Sequence, residues 1–271
     1  SLWVTGFNNK GQLGIGSMEN RDTPVQILAS GVIAVAAGAH HSLFIKEDGS
    51  LWGMGDIGDG QLGSGHSLSQ LNPVQIIASG VTAIAAGDEH SLFIKSDDSL
   101  WAVGGNNGQR GDGSGSGSST PVKVTEDVIA IAGGDLHTLY VKRNGSLWAT
   151  GSRSKGQLGD GTQGSSRNTP IKIADDVATV AAGYEISFFQ KKDGSVWAMG
   201  DNTNGELGDA SEVSWATAPV EVQFIPPVIT SQPRAILNSI PGLELVEMEQ
   251  SSVCCGGAGI YSTVQEEMST R

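Results

Sequence analysis

An all-β propeller built from four-stranded repeats of about 48 residues is the fold the sequence predicts, and three observations predict it. First, "SLW" recurs at Ser1, Ser50, Ser99 and Ser146, with "SVW" at Ser195, so Trp3, Trp52, Trp101, Trp148 and Trp197 stand 49, 49, 47 and 49 residues apart. Second, other short motifs recur at the same period and in one order. Third, no stretch of these units shows the 3.6-residue periodicity of a helical repeat.

The elements follow from their residues in turn. "HSLFIK" and "SLWGMG" alternate as strands do, and "EDGS", "DDS", "RNGS" and "KDGS" join them. Asp-Gly and Asn-Gly supply the positive φ that such a hairpin needs. After each tryptophan strand comes "GQLG", "GQLG", "GQRG", "GQLG" or "GELG", whose glycines suit a loop that folds back rather than a phosphate cradle, since no lysine and helix start follow. Pro24, Pro73, Pro121, Pro170 and Pro219 then mark a third strand, at an edge where a missing N–H is tolerated. "VIAVAAG", "VTAIAAG", "VIAIAGG" and "VATVAAG" supply a fourth, and their continuous apolar run predicts a strand buried on both faces.

The unit "HSLFIKEDGSLWGMGDIGDGQLGSG... NPVQI... VTAIAAG" resembles the repeat of the regulator of chromosome condensation family, a propeller of usually seven blades. The resemblance covers residues 1–224 and rests on order and spacing. It implies blades at 41–87, 90–134 and 137–183, with partial blades at 1–38 and 186–224, or about four to five in all. An array that does not close leaves two strand edges open to self-association. Blades upstream of residue 1 are expected, and the true N-terminus and any signal peptide with them.

Most recurring side chains have structural roles on this reading. The five tryptophans sit at blade period inside a strand and are expected in the core. His41, His90 and His137 open equivalent strands, where hydrogen bonds between blades are expected; Ile186 stands at the fourth position. Blades set around a wide axis do not bring three imidazoles to one metal. The segments that differ most between units are "SMENRD", "HSLSQL", "SGSGSS", "TQGSSRN" and "ASEVSWA", the third lying within the flexible "GDGSGSGSST" that starts at Gly111. Binding specificity is expected on the propeller face that carries them, with Arg21, His66, Arg167 and Trp215 as candidates. Trp215 leads, being the one tryptophan out of register and a typical interface anchor.

Net charge is -13 with 16 Lys+Arg against 29 Asp+Glu. Such a surface repels nucleic acid phosphates and anionic membranes, so neither is an expected partner. No apolar run approaches the roughly 20 residues that span a bilayer. The repeats show no nucleophile, base and orienting group at matched positions, so no catalytic residue is assigned. The family resemblance implies functions as varied as nucleotide exchange on small GTPases, chromatin binding, light sensing and enzyme inhibition. Guanine nucleotide exchange rests here on fold analogy alone.

After Phe224 the period stops. Residues 225–231 read as a linker, and "IPPVITSQP" resembles the first strand of immunoglobulin-like domains in bacterial surface proteins. From Gln232 to Arg271, "PR", "IPGLELVEM" and "CCGGAGIY" occur in the order seen in the CCG cysteine-rich region of glycolate-oxidase and heterodisulfide-reductase-type iron–sulfur subunits. Cys254 and Cys255, the chain's two thiols, precede a helix-like segment whose dipole favours thiolates, the form that ligates iron. A short α+β appendage is expected there. Cluster ligation commonly takes about four cysteines, so the tail is expected to hold no cluster unless further cysteines complete it, and no other cofactor is expected. The shared "QP" at Gln232 and Pro233 suits the seam of a chimera.

The leading reading is a non-enzymatic module that binds a protein or surface ligand through its loop face. An iron–sulfur electron-transfer subunit is the rival. Localisation divides at the same seam: the repeats suit the cell surface or exterior, and the tail suits the cytoplasm.

Overall fold

The computed structural model describes residues 1–223 apart from Ser67 and Asn106. They fall in the first of the chain's two compact units, Ser1–Gln223. The linker 225–231 and the expected α+β appendage at 232–271, with Cys254 and Cys255, lie outside the described residues. Among the described residues there are 18 strands and no helix.

A two-stranded antiparallel sheet comes first, β1 (Leu2–Gly6) and β2 (Arg21–Leu28). Four blades follow, each a four-stranded antiparallel meander in chain order. Blade 1 is β3 (Val32–Ala37), β4 (His41–Lys46), β5 (Leu51–Gly55) and β6 (Gln70–Ile77). Blade 2 is β7 (Val81–Ala86), β8 (His90–Lys95), β9 (Leu100–Gly104) and β10 (Ser118–Thr125). Blade 3 is β11 (Val128–Gly133), β12 (His137–Lys142), β13 (Leu147–Gly151) and β14 (Arg167–Ala174). Blade 4 is β15 (Val177–Ala182), β16 (Ile186–Lys191), β17 (Val196–Asp201) and β18 (Trp215–Glu221).

This pairing corrects the expected blade limits of 41–87, 90–134 and 137–183. The apolar run opens its sheet instead of closing the preceding one: Val35 pairs with Phe44, and Gly38 N donates to His41 O to close the turn between β3 and β4. The chain crosses between blades one strand earlier, at Gly31, Gly80, Asp127 and Asp176, all at φ between 59° and 79°. The expected partial blade 186–224 is thereby part of a complete blade, because β15 precedes it. The expected partial blade 1–38 retains two strands.

The apolar run is also not buried on both faces. Val35 is 61% exposed, and Ile33 and Ile129 are exposed as well. These strands stand nearest the axis, where Ala37, Gly38, Ala86, Gly87, Gly134 and Gly183 line a common cavity. Small residues are required there because blades converge.

Packing between blades follows the alternation of the second strand. Leu43 and Ile45 meet Val81 and Phe93 of blade 2, while Phe44 turns the other way onto Leu2. Leu92 and Ile94 repeat this against Tyr140 of blade 3, and Leu139 and Val141 against Phe189 of blade 4. Each fully buried aromatic contributes about 2–3 kcal/mol by area. Blade 4 presents Phe188, Ala198, Leu207 and Val220 as its own cluster.

The repeated tryptophans are tied down at the opposite end of the blades. Trp101 Nε1 donates to Ser99 Oγ at 2.8 Å, and that hydroxyl donates to Asp97. Trp52 with Ser50 and Asp48, Trp148 with Ser146 and Asn144, and Trp197 with Ser195 and Asp193 repeat the chain. Each indole also lies parallel to the facing ring, Phe93 at 6.3 Å for Trp101, with Lys95 Nζ over it at 4.1 Å. Trp3, in the two-stranded sheet, is largely exposed. Ser99→Ala strands both the indole N–H and the turn, so a loss of about 1–2 kcal/mol is expected in urea unfolding. An unchanged midpoint would show that the hydroxyl contributes no net stability.

Candidate binding face

In a meander of four strands, the first-to-second and third-to-fourth connections emerge at the same end. Backbone bonds join them: Asp56 N donates to His40 O, Gly105 N to Glu89 O, Ser152 N to Leu136 O and Asp201 N to Glu185 O. The loop face therefore combines the short links beside the axis with the long variable loops farther out.

The "GQLG" segments shape the long loops. Gly11, Gly60, Gly108, Gly156 and Gly205 all hold φ between 81° and 83°. Gly60 also leans on blade 2, where a Cβ would stand 2.7 Å from Ser118 O. The leucine that follows is buried in four units as Leu13, Leu62, Leu158 and Leu207. Arg110 replaces it in blade 2 and is equally buried, donating to Gly104 O, Asp112 Oδ2 and Ser116 O. The Gly/Ser-rich loop is thus anchored by a buried guanidinium.

Three of the four candidate binding residues occupy matching places on the outer rim. Arg21, Arg167 and Trp215 open the outermost strands β2, β14 and β18. Both arginines are engaged within the chain, Arg21 with Glu19 at 3.2 Å and Arg167 with Asp160 at 3.4 Å. Trp215 is 45% exposed beside exposed Val213, on the blade next to Arg167. His66 is exposed in the blade 1 loop, near Leu68 at 77% exposure. The four side chains are spread over the two-stranded sheet and blades 1, 3 and 4, so they form a rim and not one pocket.

His41, His90 and His137 are fully buried and link blades. His41 Nε2 lies 2.9 Å from Ser91 Oγ, His90 Nε2 2.9 Å from Thr138 Oγ1, and His137 Nε2 2.8 Å from Ser187 Oγ. Ser91 and Ser187 donate onward to Gln61 O and Gln157 O, so the imidazoles of His41 and His137 are the donors in those pairs. The Nδ1 atoms of His41, His90 and His137 have no partner among the described residues. Burial lowers His41 and His137 to about 4, and His90 to about 3. Among the described residues no group of three or more His, Cys, Asp and Glu could hold a metal ion.

The axial side of the same face holds residues that the sequence reading passed over. A cavity of about 290 Å³ is lined by the glycines named above together with Asp88, Asp135 and Tyr184. Burial, followed by a side-chain hydrogen bond and charge repulsion from Asp88, pushes the Asp135 carboxyl up to about 6. Glu185 and Glu89 add to the same field, and none of these four acids is in an ion pair among the described residues. Tyr184, 72% exposed, has its hydroxyl raised first by Asp135. The signal was present in the two positions that vary after each "AAG" or "AGG" motif, Ala39-His40, Asp88-Glu89, Asp135-Leu136 and Tyr184-Glu185. It was overshadowed by the longer variable loops.

Comparison with known proteins gives two separate likenesses. The model of the RCC1-like domain matches residues 1–242, and that of a cysteine-rich domain, CCG, matches residues 223–271. Among solved structures, human WBSCR16 superposes with a TM-score of 0.72 at 22% identity, over 82% of this chain and 66% of that one. Prp20p from Saccharomyces cerevisiae gives 0.69 at 20% identity, over 82% and 56%. Among curated proteins, the probable glycolate oxidase iron-sulfur subunit of Bacillus subtilis is 52% identical over 40 residues, 15% of this chain and 9% of that protein. A fumarate reductase (CoM/CoB) polypeptide of Methanothermobacter marburgensis is 68% identical over 28 residues, 10% of this chain and 6% of that protein. The chain thus spans less than a tenth of either curated relative.

Proposed function

Since the chain belongs to the RCC1-like domain family, we propose that it is a non-enzymatic module that binds a basic protein through the loop face of its blades. The observation that carries this reading is the composition of that face. Asp88 and Asp135, in no ion pair among the described residues, line the axial cavity, and Leu68, Val213 and Trp215 stand exposed around the rim. An apolar anchor set beside one sign of charge suits protein recognition, since charge steers approach and buried apolar area holds the complex. Net charge of -13 favours a basic partner. Prp20p, of the same fold, is described by its binding to Gsp1p and histones, and another structure shows it with Kap60.

A protein array probed with the chain and two variants tests this. Trp215→Ala with Leu68→Asp alters the loop face, and Glu47→Lys alters the turn at the opposite end. Partners are expected to be lost with the first variant and kept with the second. The reverse pattern would move the binding surface to the other end.

The match of residues 223–271 favours a second reading, electron transfer through an iron–sulfur cluster. The donor set does not fit a cluster held by this chain alone, because Cys254 and Cys255 are the only two thiols in it. No step is derived through one. Anaerobic reconstitution giving charge-transfer absorbance that disappears in Cys254→Ser with Cys255→Ser would establish it.

A further inference from the structure

An asparagine that precedes glycine can close on the next backbone nitrogen, because no side chain hinders the approach. The chain has three such pairs, Asn107-Gly108, Asn144-Gly145 and Asn204-Gly205, and all three asparagines are exposed. Their surroundings differ.

Asn144 sits in the turn between β12 and β13, where the other blades carry Asp48, Asp97 and Asp193. All four accept from the backbone of a serine two residues on. Asn144 Oδ1 takes two donors, Ser146 N at 3.0 Å and Ser146 Oγ at 2.7 Å. Trp148 Nε1 donates to the same hydroxyl at 2.9 Å, so the proton of Ser146 is committed to Asn144. Two donors there polarise the carboxamide and stabilise the oxyanion that forms when a nucleophile adds to its carbon. The nucleophile is Gly145 N. A Cβ on Gly145 would stand 3.0 Å from Lys192 Nζ, so an ammonium lies beside the amide that must lose its proton. Asn144 Nδ2, the leaving group, makes no hydrogen bond among the described residues.

The other two pairs lack this arrangement. Asn204 Nδ2 donates to Glu206 Oε1 at 2.7 Å and Asn204 N to Glu206 Oε2 at 2.8 Å, so a carboxylate holds the leaving group and opposes the oxyanion. Gly108 is pressed against blade 3, where a Cβ would stand 2.4 Å from Arg167 O, and its peptide has no room to swing toward Asn107. Ring closure at Asn144 gives up the turn bond from Gly145 N to Lys142 O at 2.8 Å, but closure at Asn204 gives up the same bond, Gly205 N to Asn202 O at 3.1 Å.

We propose that Asn144 is a site of spontaneous deamidation in the folded protein, with Gly145 N as the nucleophile and water as the co-reactant. Gly145 N loses its proton to solvent and bonds to Asn144 Cγ; the bond from Cγ to Nδ2 breaks and the nitrogen leaves as ammonia. Water then opens the succinimide at Cγ to give aspartate, or at the backbone carbonyl to give isoaspartate. The aspartate gives blade 3 the turn that the other three blades have. It also supplies the charge missing beside Lys142, whose Nζ stands 5.8 Å from the Trp148 ring where its counterparts stand at 3.9, 4.1 and 4.5 Å. Isoaspartate adds a backbone atom and cannot form that turn. The site lies at the end of the blades opposite the loop face and does not depend on the binding reading.

Peptide mapping by mass spectrometry follows amide loss at the three asparagines in mildly alkaline H₂¹⁸O, for the folded chain and for the chain in guanidinium chloride. Folding is expected to leave Asn144 at or above its unfolded rate and to slow Asn107 and Asn204 about tenfold or more. Ser146→Ala is expected to slow loss at Asn144 about fivefold by removing one donor. Lys192→Gln, which leaves the bonds of the turn in place, is expected to slow it about threefold. Folding that slows Asn144 as much as the other two, or a rate that rises in Ser146→Ala, overturns the proposal, since the turn then shields the asparagine. A rate unchanged in Lys192→Gln overturns the role given to the ammonium.

Discussion

Gly87→Ala is expected to destabilise the protein by about 3 kcal/mol or more, the upper part of the range for overpacking. The added methyl would stand 2.2 Å from His90 Cε1 and 2.3 Å from Gly134 O of the next blade. One obstacle is a buried ring held by its bond to Thr138, and the other is backbone, so neither can move without separating blades 2 and 3. Gly38 and Gly134 face the same pair of obstacles, a histidine ring and the following blade's glycine carbonyl. Backbone conformation plays no part in this, since Gly87 is not among the glycines at positive φ. Gly115→Ala is the control, a glycine with nothing within 4 Å and no positive φ. Urea unfolding should show a midpoint lowered by about 1 M or more for Gly87→Ala and unchanged for Gly115→Ala. Equal midpoints for the two would mean the blades do not pack this closely at the axis.

Acid should unfold the protein between pH 6.5 and 4, with the three bridging histidines as the main cause. Their folded-state values of about 4, 3 and 4 lie below the ordinary 6.5. Above pH 6.5 the imidazoles are neutral in both states and their effect on stability is constant. Between pH 6.5 and 4 the unfolded chain takes up protons that the folded chain refuses, so stability falls as pH falls. Each histidine contributes about 3 kcal/mol to this loss, at roughly 1.4 kcal/mol per pK unit. Asp135 acts in the opposite direction. Its folded value of about 6 lies above the ordinary one, so protonation favours the folded state as pH falls toward 3.8. One partly exposed carboxyl against three fully buried imidazoles leaves the net trend downward.

His137→Ile isolates the contribution, using the residue that blade 4 already carries at this place, Ile186. The variant should be less stable than the parent at pH 7, for want of the bond to Ser187. The difference should narrow steadily toward pH 4, where the parent's own histidine has become a liability. A constant difference from pH 7 to 4 would assign the acid sensitivity elsewhere.

The repeat and its strands were legible because they are local. A hairpin such as Phe44 opposite Trp52 joins residues close in sequence, and Asp48-Gly49-Ser50 announces its own turn. The histidines were legible as a recurring position, but not the identity of each partner. That partner lies 50, 48 or 50 residues away, on a strand whose serine or threonine looks like any other strand residue. The sheet to which "VIAVAAG" belongs was misread because the links on either side of it are both short. Length does not say which link is a hairpin and which crosses to the next blade. Arg21, Arg167 and Trp215 stand out in the sequence for variation alone, and the ion pairs that occupy the two arginines are invisible without coordinates.

By itself the sequence determined the blade: its period, its turns, its aromatic and aliphatic strands, and the small residues where blades converge. Each of these follows from backbone preference and from burial along a short stretch of chain. Tertiary structure alone decided what happens between blades, where each histidine meets a residue 48 or 50 positions on, in a different sheet. The ring of glycines pressed against histidines and the acids gathered at the axis both arise there. Packing sets those distances, and packing depends on every blade at once.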